Sequence, residues 1–284
     1  MDLLKLLAIA LMPSFVMAAE DSKLLASPSV GIAQSSGYHN NSAFQTRVAM
    51  KAIAKLELRG DERLLDIGSG DGRLSALLKE RLPDGEVVAV DGSSAMVDFA
   101  KSHYQGIEFL LANAMELPFE SEFDAITSFW CWNWLPDNQK GYDSVMRALK
   151  PGGKVLLVLP LAADKNLGTA CDRLATSSYW REFLPDYRPN KFYFSAEQQW
   201  QFAQRAGLEV ISSEIGLEEF FFQDKQALIE WIEPLTPCTE RLPSESMRRA
   251  FLEELASAID DWPPDPEQPA KVIWRMMTLL LQKR

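Results

Sequence analysis

Five short apolar runs, each parted from the next by residues at helical spacing, constrain this chain more than any other feature. They fall at 63–67, 87–90, 107–111, 123–129 and 155–159. Between them Leu74, Leu77 and Leu78, then Met96, Val97 and Ala100, and then the segment 138–150 repeat as one helical face does. Strands alternating with helices build a parallel sheet through right-handed crossovers. Strands covered on both faces read as unbroken apolar runs, and these do. The expectation is an α/β fold, a Rossmann-like doubly wound sheet that is mostly parallel.

Flanking segments complete the outline. Ser42 is placed to cap a helix whose apolar face runs through Phe44, Val48, Ala49, Ile53 and Leu56. After Pro160 comes an aromatic stretch (Tyr179, Trp180, Phe183, Tyr187, Phe192, Tyr193, Phe194), then a helix capped by Ser195 and ended by Gly207. Segments 208–215 and 219–222 read as an antiparallel hairpin turning at Gly216. The remainder, 225–284, reads as a helical cap with a break at Trp262-Pro263-Pro264. The main domain is thus expected at 37–224, with its core at 60–160, a cap insertion at 161–194 and its last strands at 208–222. Segment 21–36 is small, polar and turn-rich, as a linker is.

The first twenty residues carry one lysine, Lys5, an apolar run from Leu6 to Ala19, and small residues at Ala18 and Ala19 where a peptidase could cut. They read as a signal-peptide-like or anchoring segment, against the plainer alternatives of an amphipathic helix or an over-extended reading frame. With 29 basic and 40 acidic side chains the formal charge is −11, which repels a phosphate backbone. No nucleic-acid partner is expected, and contact with a membrane only through 1–20. Cys131, Cys171 and Cys238, with His39 and His103, show no metal-ligand spacing, so no metal is expected.

The sharpest local feature is Asp66-Ile67-Gly68-Ser69-Gly70-Asp71-Gly72-Arg73, between the first strand and the helix after it. Glycines there let the backbone turn tightly and approach a ligand, and the helix offers free N–H groups. A dinucleotide fingerprint wants its third glycine where Arg73 stands. Asp66 and Asp71 would repel a pyrophosphate and attract a cationic ligand, and S-adenosylmethionine carries a sulfonium and an ammonium. Asp91, ending the second strand, is placed to take two ribose hydroxyls, to cap the next helix, or both. Past the third strand, the Asn113 amide, followed by Ala114, is suited to accept from an adenine amine.

These segments resemble the class I S-adenosylmethionine-dependent methyltransferases. The resemblance rests on Leu65 to Gly72, Val90-Asp91-Gly92-Ser93, Leu117-Pro118-Phe119, Phe123-Asp124-Ala125-Ile126 and Leu149 to Lys154, in that order. The candidate cofactor-binding set is Asp66, Gly68, Ser69, Gly70, Asp91, Gly92, Met96, Asn113, Ala114 and Phe129. Beyond the core, Asn41 to Gln45, Thr127 to Leu135 and the region from Trp231 to Phe251 look like the trans-aconitate and juvenile hormone acid methyltransferase group. That resemblance implies a small-molecule acceptor, an organic or fatty acid, with Gln45 and Trp134 donating to its carboxylate. Asn133 stands where the group commonly has histidine.

A carboxylate is already ionised at neutral pH and attacks a methyl group without a general base. Arg47, Arg173, Arg181 and Lys191 are candidates to neutralise a second acid group. Trp130, Trp132 and Trp134 fit either an apolar pocket wall or core packing, Trp132 best of the three for core. Methylation of another oxygen, a nitrogen or a carbon, as on quinones or lipids, stays open, as does a cofactor-binding protein without turnover. The donor is made in the cytosol, so a cytoplasmic location is expected despite the export-like segment 1–20.

Overall fold

The computed structural model of the chain describes residues 43–261 and 270–284. The export-like segment 1–20, the linker 21–36, the Ser42 cap and the proline break at 262–264 lie outside them. The chain opens with α1 (Ala43–Ile53), then alternates through β1 (Arg63–Ile67), α2 (Arg73–Glu80), β2 (Glu86–Asp91), α3 (Ser94–His103) and β3 (Glu108–Leu111). It continues through β4 (Phe123–Phe129), α4 (Asn138–Ala148), β5 (Leu149–Pro160), α5 (Leu167–Ala175) and α6 (Ala196–Arg205). Last come β6 (Leu208–Phe222), α7 (Lys225–Ile232), α8 (Glu245–Ile259) and β7 (Ala270–Lys283).

Among the described residues seven strands form one sheet in the order β3-β2-β1-β4-β5-β7-β6. The first five are parallel, and β7 runs antiparallel to both β5 and β6. The strand order reverses at β1, with β2 on one side and β4 on the other, and ligands bind at such a switch point beyond the carboxyl ends of the strands. Leu64, Leu65 and Ile67 of β1, like Ile126 of β4, are fully buried, as the doubly covered sheet requires.

The Ser195 cap follows the sequence, while the cap of α3 is Ser93 and not Asp91. The Ser93 hydroxyl accepts from the Met96 N–H at the start of α3, and Ser195 and Gln198 form a reciprocal capping box on α6. One core packs α1, α5, α7 and α8 on the sheet, and a second packs α4 and α6 on its other face.

Two expectations for the C-terminal third are corrected. There is no turn at Gly216: β6 is one continuous strand, and Gly216 pairs with Met276 of β7. The antiparallel pair exists, but its second strand is β7, drawn from the segment read as helical. A glycine inside an apolar stretch fits either a turn or a strand interior, and only a partner decides. The stretch 271–283 is rich in Leu, Met, Lys and Arg, which favour helices, so insertion between β5 and β6 overrides propensity. Among the described residues no helix is long and apolar enough to cross a membrane.

Candidate active site

The glycine loop leaves β1 under backbone control from β2. The N–H groups of Gly68 and Ser69 both donate to the Val90 carbonyl, at 2.8 and 3.0 Å. Gly68 takes φ +74° and Gly72 φ +84°. A Cβ on Gly72 would come within 2.9 Å of Ala100 and 3.0 Å of Phe109, so that glycine is what lets α2 start against α3 and β3. A Cβ on Gly70 or Gly92 would meet nothing within 4 Å. The loop therefore borders open space on its ligand-facing side.

Asp91 is gripped rather than free. Gly70 donates its N–H to Oδ2 at 2.9 Å and Ser93 donates to Oδ1 at 2.8 Å. Each oxygen keeps capacity for one more donor, which suits a pair of vicinal hydroxyls. Burial pushes the Asp91 carboxyl above the usual aspartate range, and these N–H groups pull it back down. The Asp91 carbonyl also accepts from Ala112, which joins the loop bearing Asn113 and Ala114 to the same corner. Asn113 Oδ1 accepts from the Met115 N–H at 3.0 Å, leaving the rest of its amide exposed. Met96 is buried in the first turn of α3, Ala114 is buried past β3, and Phe129 is buried at the end of β4.

Asp66 works from beneath. Its carboxylate is 2% exposed and accepts from the Ser75 hydroxyl at 2.6 Å and the Thr127 hydroxyl at 2.8 Å. Burial raises it to about 6, against the two hydroxyl bonds and with the nearby Asp91 charge. Asp71 is paired with Arg73 through Nη2 at 3.0 Å. Of the two carboxylates to which the sequence assigns attraction for a cation, Asp71 is thus paired with Arg73 and Asp66 lies buried beneath the loop. Ser69 Oγ is buried with no hydrogen-bond partner, an orphaned donor inside the loop.

Beyond β4 the chain turns sharply. Trp130 takes φ +54°, rare for a bulky residue, and its N–H donates to the Val158 carbonyl. Cys131 then lies against the glycine loop, since a Cβ on Gly68 would come 2.6 Å from its Sγ. Burial lifts the Cys131 thiol to about 12, so it is inert near neutrality. The turn Trp132–Trp134 follows. Trp132 is core, 1% exposed and edge-on to Tyr142, whereas Trp134 is half-buried.

The open corner, the orphaned Ser69 hydroxyl and the held Asp91 carboxylate fit a nucleoside with a positively charged tail. Comparison with known proteins agrees. The family model described as a methyltransferase domain matches residues 65–157. Juvenile hormone acid O-methyltransferase of Drosophila melanogaster is 28% identical over 214 residues, 70% of this chain and 71% of that protein. Trans-aconitate 2-methyltransferase of Escherichia coli (strain 55989 / EAEC) is 26% identical over 231 residues, 80% of this chain and 88% of that protein. The chain is a class I S-adenosylmethionine-dependent methyltransferase.

Its fold agrees with solved methyltransferases. Haemonchus contortus phosphoethanolamine N-methyltransferase 2, in complex with S-adenosyl-L-methionine, superposes with a TM-score of 0.56 at 18% identity, over 91% of this chain and 60% of that one. Within this methyltransferase the structure joins Gly68, Ser69, Gly70, Asp91, Gly92, Asn113 and Ala114 at one corner, and Cys131 carries the Trp132–Trp134 turn to it. Gln45 lies in the first turn of α1, and no hydrogen bond among the described residues ties it to Trp134. Of the four candidate cations, Arg47 faces Glu218 of β6, Arg173 and Arg181 are exposed, and Lys191 alone is buried beside Trp134. Sequence reasoning missed Ser75 and Thr127, which hold Asp66, and Cys131, which closes on Gly68. A hydroxyl inside an apolar strand, as at Thr127, was the available signal.

Proposed function

We propose that this methyltransferase transfers a methyl group to the carboxylate oxygen of a small organic or fatty acid. Support comes from the half-buried Trp134, on the turn that Cys131 joins to the glycine loop, together with likeness to relatives named for acid substrates. Among the described residues the imidazole is His103, exposed at the far end of α3 and bonded to Phe99 and Ser102. Among the described residues no histidine stands at the site to act as a base, which suits an acceptor that arrives ionised.

When bound, S-adenosylmethionine supplies a methyl group activated by a positively charged sulfur. Asp91 would hold the ribose hydroxyls, the Ser69 hydroxyl the amino-acid end, and Asn113 the adenine, with Met96, Ala114 and Phe129 around it. Asp66 keeps the loop in shape from below. Trp134 offers an indole N–H with no acceptor among the described residues, and Gln45 an amide, to orient the acid. Positioning and exclusion of water are then the protein's whole contribution. We place the catalytic part in the cytosol, where the donor is made; a mature N-terminus beginning after Ala18 or Ala19 would reverse that.

The test is twofold. Calorimetry should find S-adenosylhomocysteine bound by the wild type and lost in Asp91→Ala. Mass spectrometry of reactions with acids, phenols and amines should detect methyl esters only. Methylated phenols or amines without any ester would transfer the activity to the other acceptor class. Tight cofactor binding with no product at all would point to a protein without turnover.

A further inference from the structure

Lys191 is a buried charge that the chemistry above leaves unused. It sits in the cap insertion and is 7% exposed. Its ammonium donates to the Leu235 carbonyl at 2.7 Å and to Asn190 Oδ1 at 3.3 Å, and stands 4.4 Å from the centre of the Trp134 ring. All three partners are neutral. Among the described residues no carboxylate lies within ion-pair distance, and Asp172, which acts on the ammonium through space, takes the Tyr187 hydroxyl instead. Burying an ammonium without an anion is costly.

The lysine is also held in place. Phe192 donates its N–H to the Asn133 carbonyl at 2.7 Å, locking the cap segment to the Trp132–Trp134 turn. The stem packs on Gly168, where an added Cβ would come 2.7 Å from Lys191 Cβ. Asn133 is itself buried, and its Oδ1 has no partner. A fixed cation with no carboxylate at ion-pair distance among the described residues thus stands over the indole assigned to the acceptor.

We propose that Lys191 is the specificity-determining cation of this site, receiving the anionic end of the acceptor beside Trp134 and selecting acids over neutral isosteres. The proposal rests on the carboxylate reading above. An ammonium on the attacking oxygen would quench its nucleophilicity, so Lys191 holds the other oxygen of that carboxylate or a second acid group. The long Asn190 contact is the one that such an oxygen takes over.

A pH signature follows. The groups facing Lys191 are Cys171 and Asp172 of α5, Cys238 of the turn Pro237–Arg241, and Tyr187 and Tyr193 of the cap. Burial lowers the lysine to about 8, so acid binding weakens as pH rises through that value.

The experiment screens short, medium and long straight-chain monocarboxylates, short dicarboxylates and benzoates for ester formation. The best acid is then titrated calorimetrically into protein loaded with S-adenosylhomocysteine. Lys191→Met should weaken acid binding and raise KM by about tenfold or more, with kcat within about threefold and cofactor affinity intact. Lys191→Arg should recover part of the loss. Wild-type acid affinity in Lys191→Met overturns the proposal and leaves the carboxylate reading standing. An absence of ester from every acid overturns both. If Lys191→Met fails to fold, wild-type affinity that stays level above pH 8 overturns it.

Discussion

Gly68 carries two demands at one atom. Its φ of +74° is disfavoured for any residue with a Cβ, and that Cβ would lie 2.5 Å from the Cys131 Cβ. The backbone part is worth about 1–2 kcal/mol and the overpacking about 1–3 kcal/mol. Gly68→Ala is therefore expected to lose roughly 2–5 kcal/mol of stability in chemical denaturation. Adding Cys131→Gly should return the steric part and leave the backbone part; simple additivity of the two variants would refute the contact. Asp66 makes a prediction of opposite kind. Its folded carboxyl ionises near 6, against about 3.9 in an unfolded chain. Its stabilising contribution is full below pH 4 and is lost as pH rises through 6, on the order of 3 kcal/mol in all. Melting temperature should fall across that window in the wild type and stay flatter in Asp66→Asn. Equal slopes would show that the charge is relieved in some other way.

Elements transmit order to the site through a buried polar chain. Tyr142 of α4 donates to Gln199 Oε1 of α6 at 2.8 Å, and Gln199 donates to Asn138 Oδ1 at 2.9 Å. Asn138 in turn donates to the carbonyls of Trp132 and Leu135, which bracket Trp134. Tyr142→Phe leaves the Gln199 oxygen buried and unpaired, at a cost of about 1–3 kcal/mol. It should also raise KM for the acceptor more than it weakens cofactor binding, because the chain ends at the Trp134 turn and not at Asp91. Unchanged stability would mean that the glutamine finds another donor. Little of this chain could be read beforehand. Asn138 reads as the start of a helix, and nothing in its spacing announces Gln199, 61 residues away. The five parallel strands, the glycine corner and the Ser195 cap were legible because each rests on local pattern. The paired state of Asp71, the burial of Lys191 and the strand identity of 270–283 were not, because each is decided by a distant partner.

The whole molecule divides its labour along the sheet, and β7 is where that division can be tested. The cofactor corner is built from β1, β2, β3 and β4, and β5 stands between it and the last strand. Yet β7 fills the gap between β5 and β6 and buries Val272, Met277, Leu279 and Leu281 completely. Its Arg275 carbonyl accepts from the Leu161 N–H at 2.8 Å, where the cap insertion leaves β5. Removing 270–284 would strip β5 of one neighbour, leave β6 with none, and open both cores, since Val272 belongs to one and Met277 to the other. No candidate cofactor residue lies in that segment. If the cofactor corner were an autonomous half, the truncated chain would keep its affinity for S-adenosylhomocysteine. Because β4 and β5 carry the turn that abuts Gly68, and β5 depends on β7 for its outer pairing, the expectation is the reverse. The truncated chain should lose near-ultraviolet circular dichroism, bind a hydrophobic dye and fail to bind S-adenosylhomocysteine. Leu279→Ala is the graded form of the same test, losing about 2–5 kcal/mol with the corner intact. Full cofactor affinity in the truncated chain would show that the first five strands stand alone, and that the antiparallel pair serves only to seat the cap.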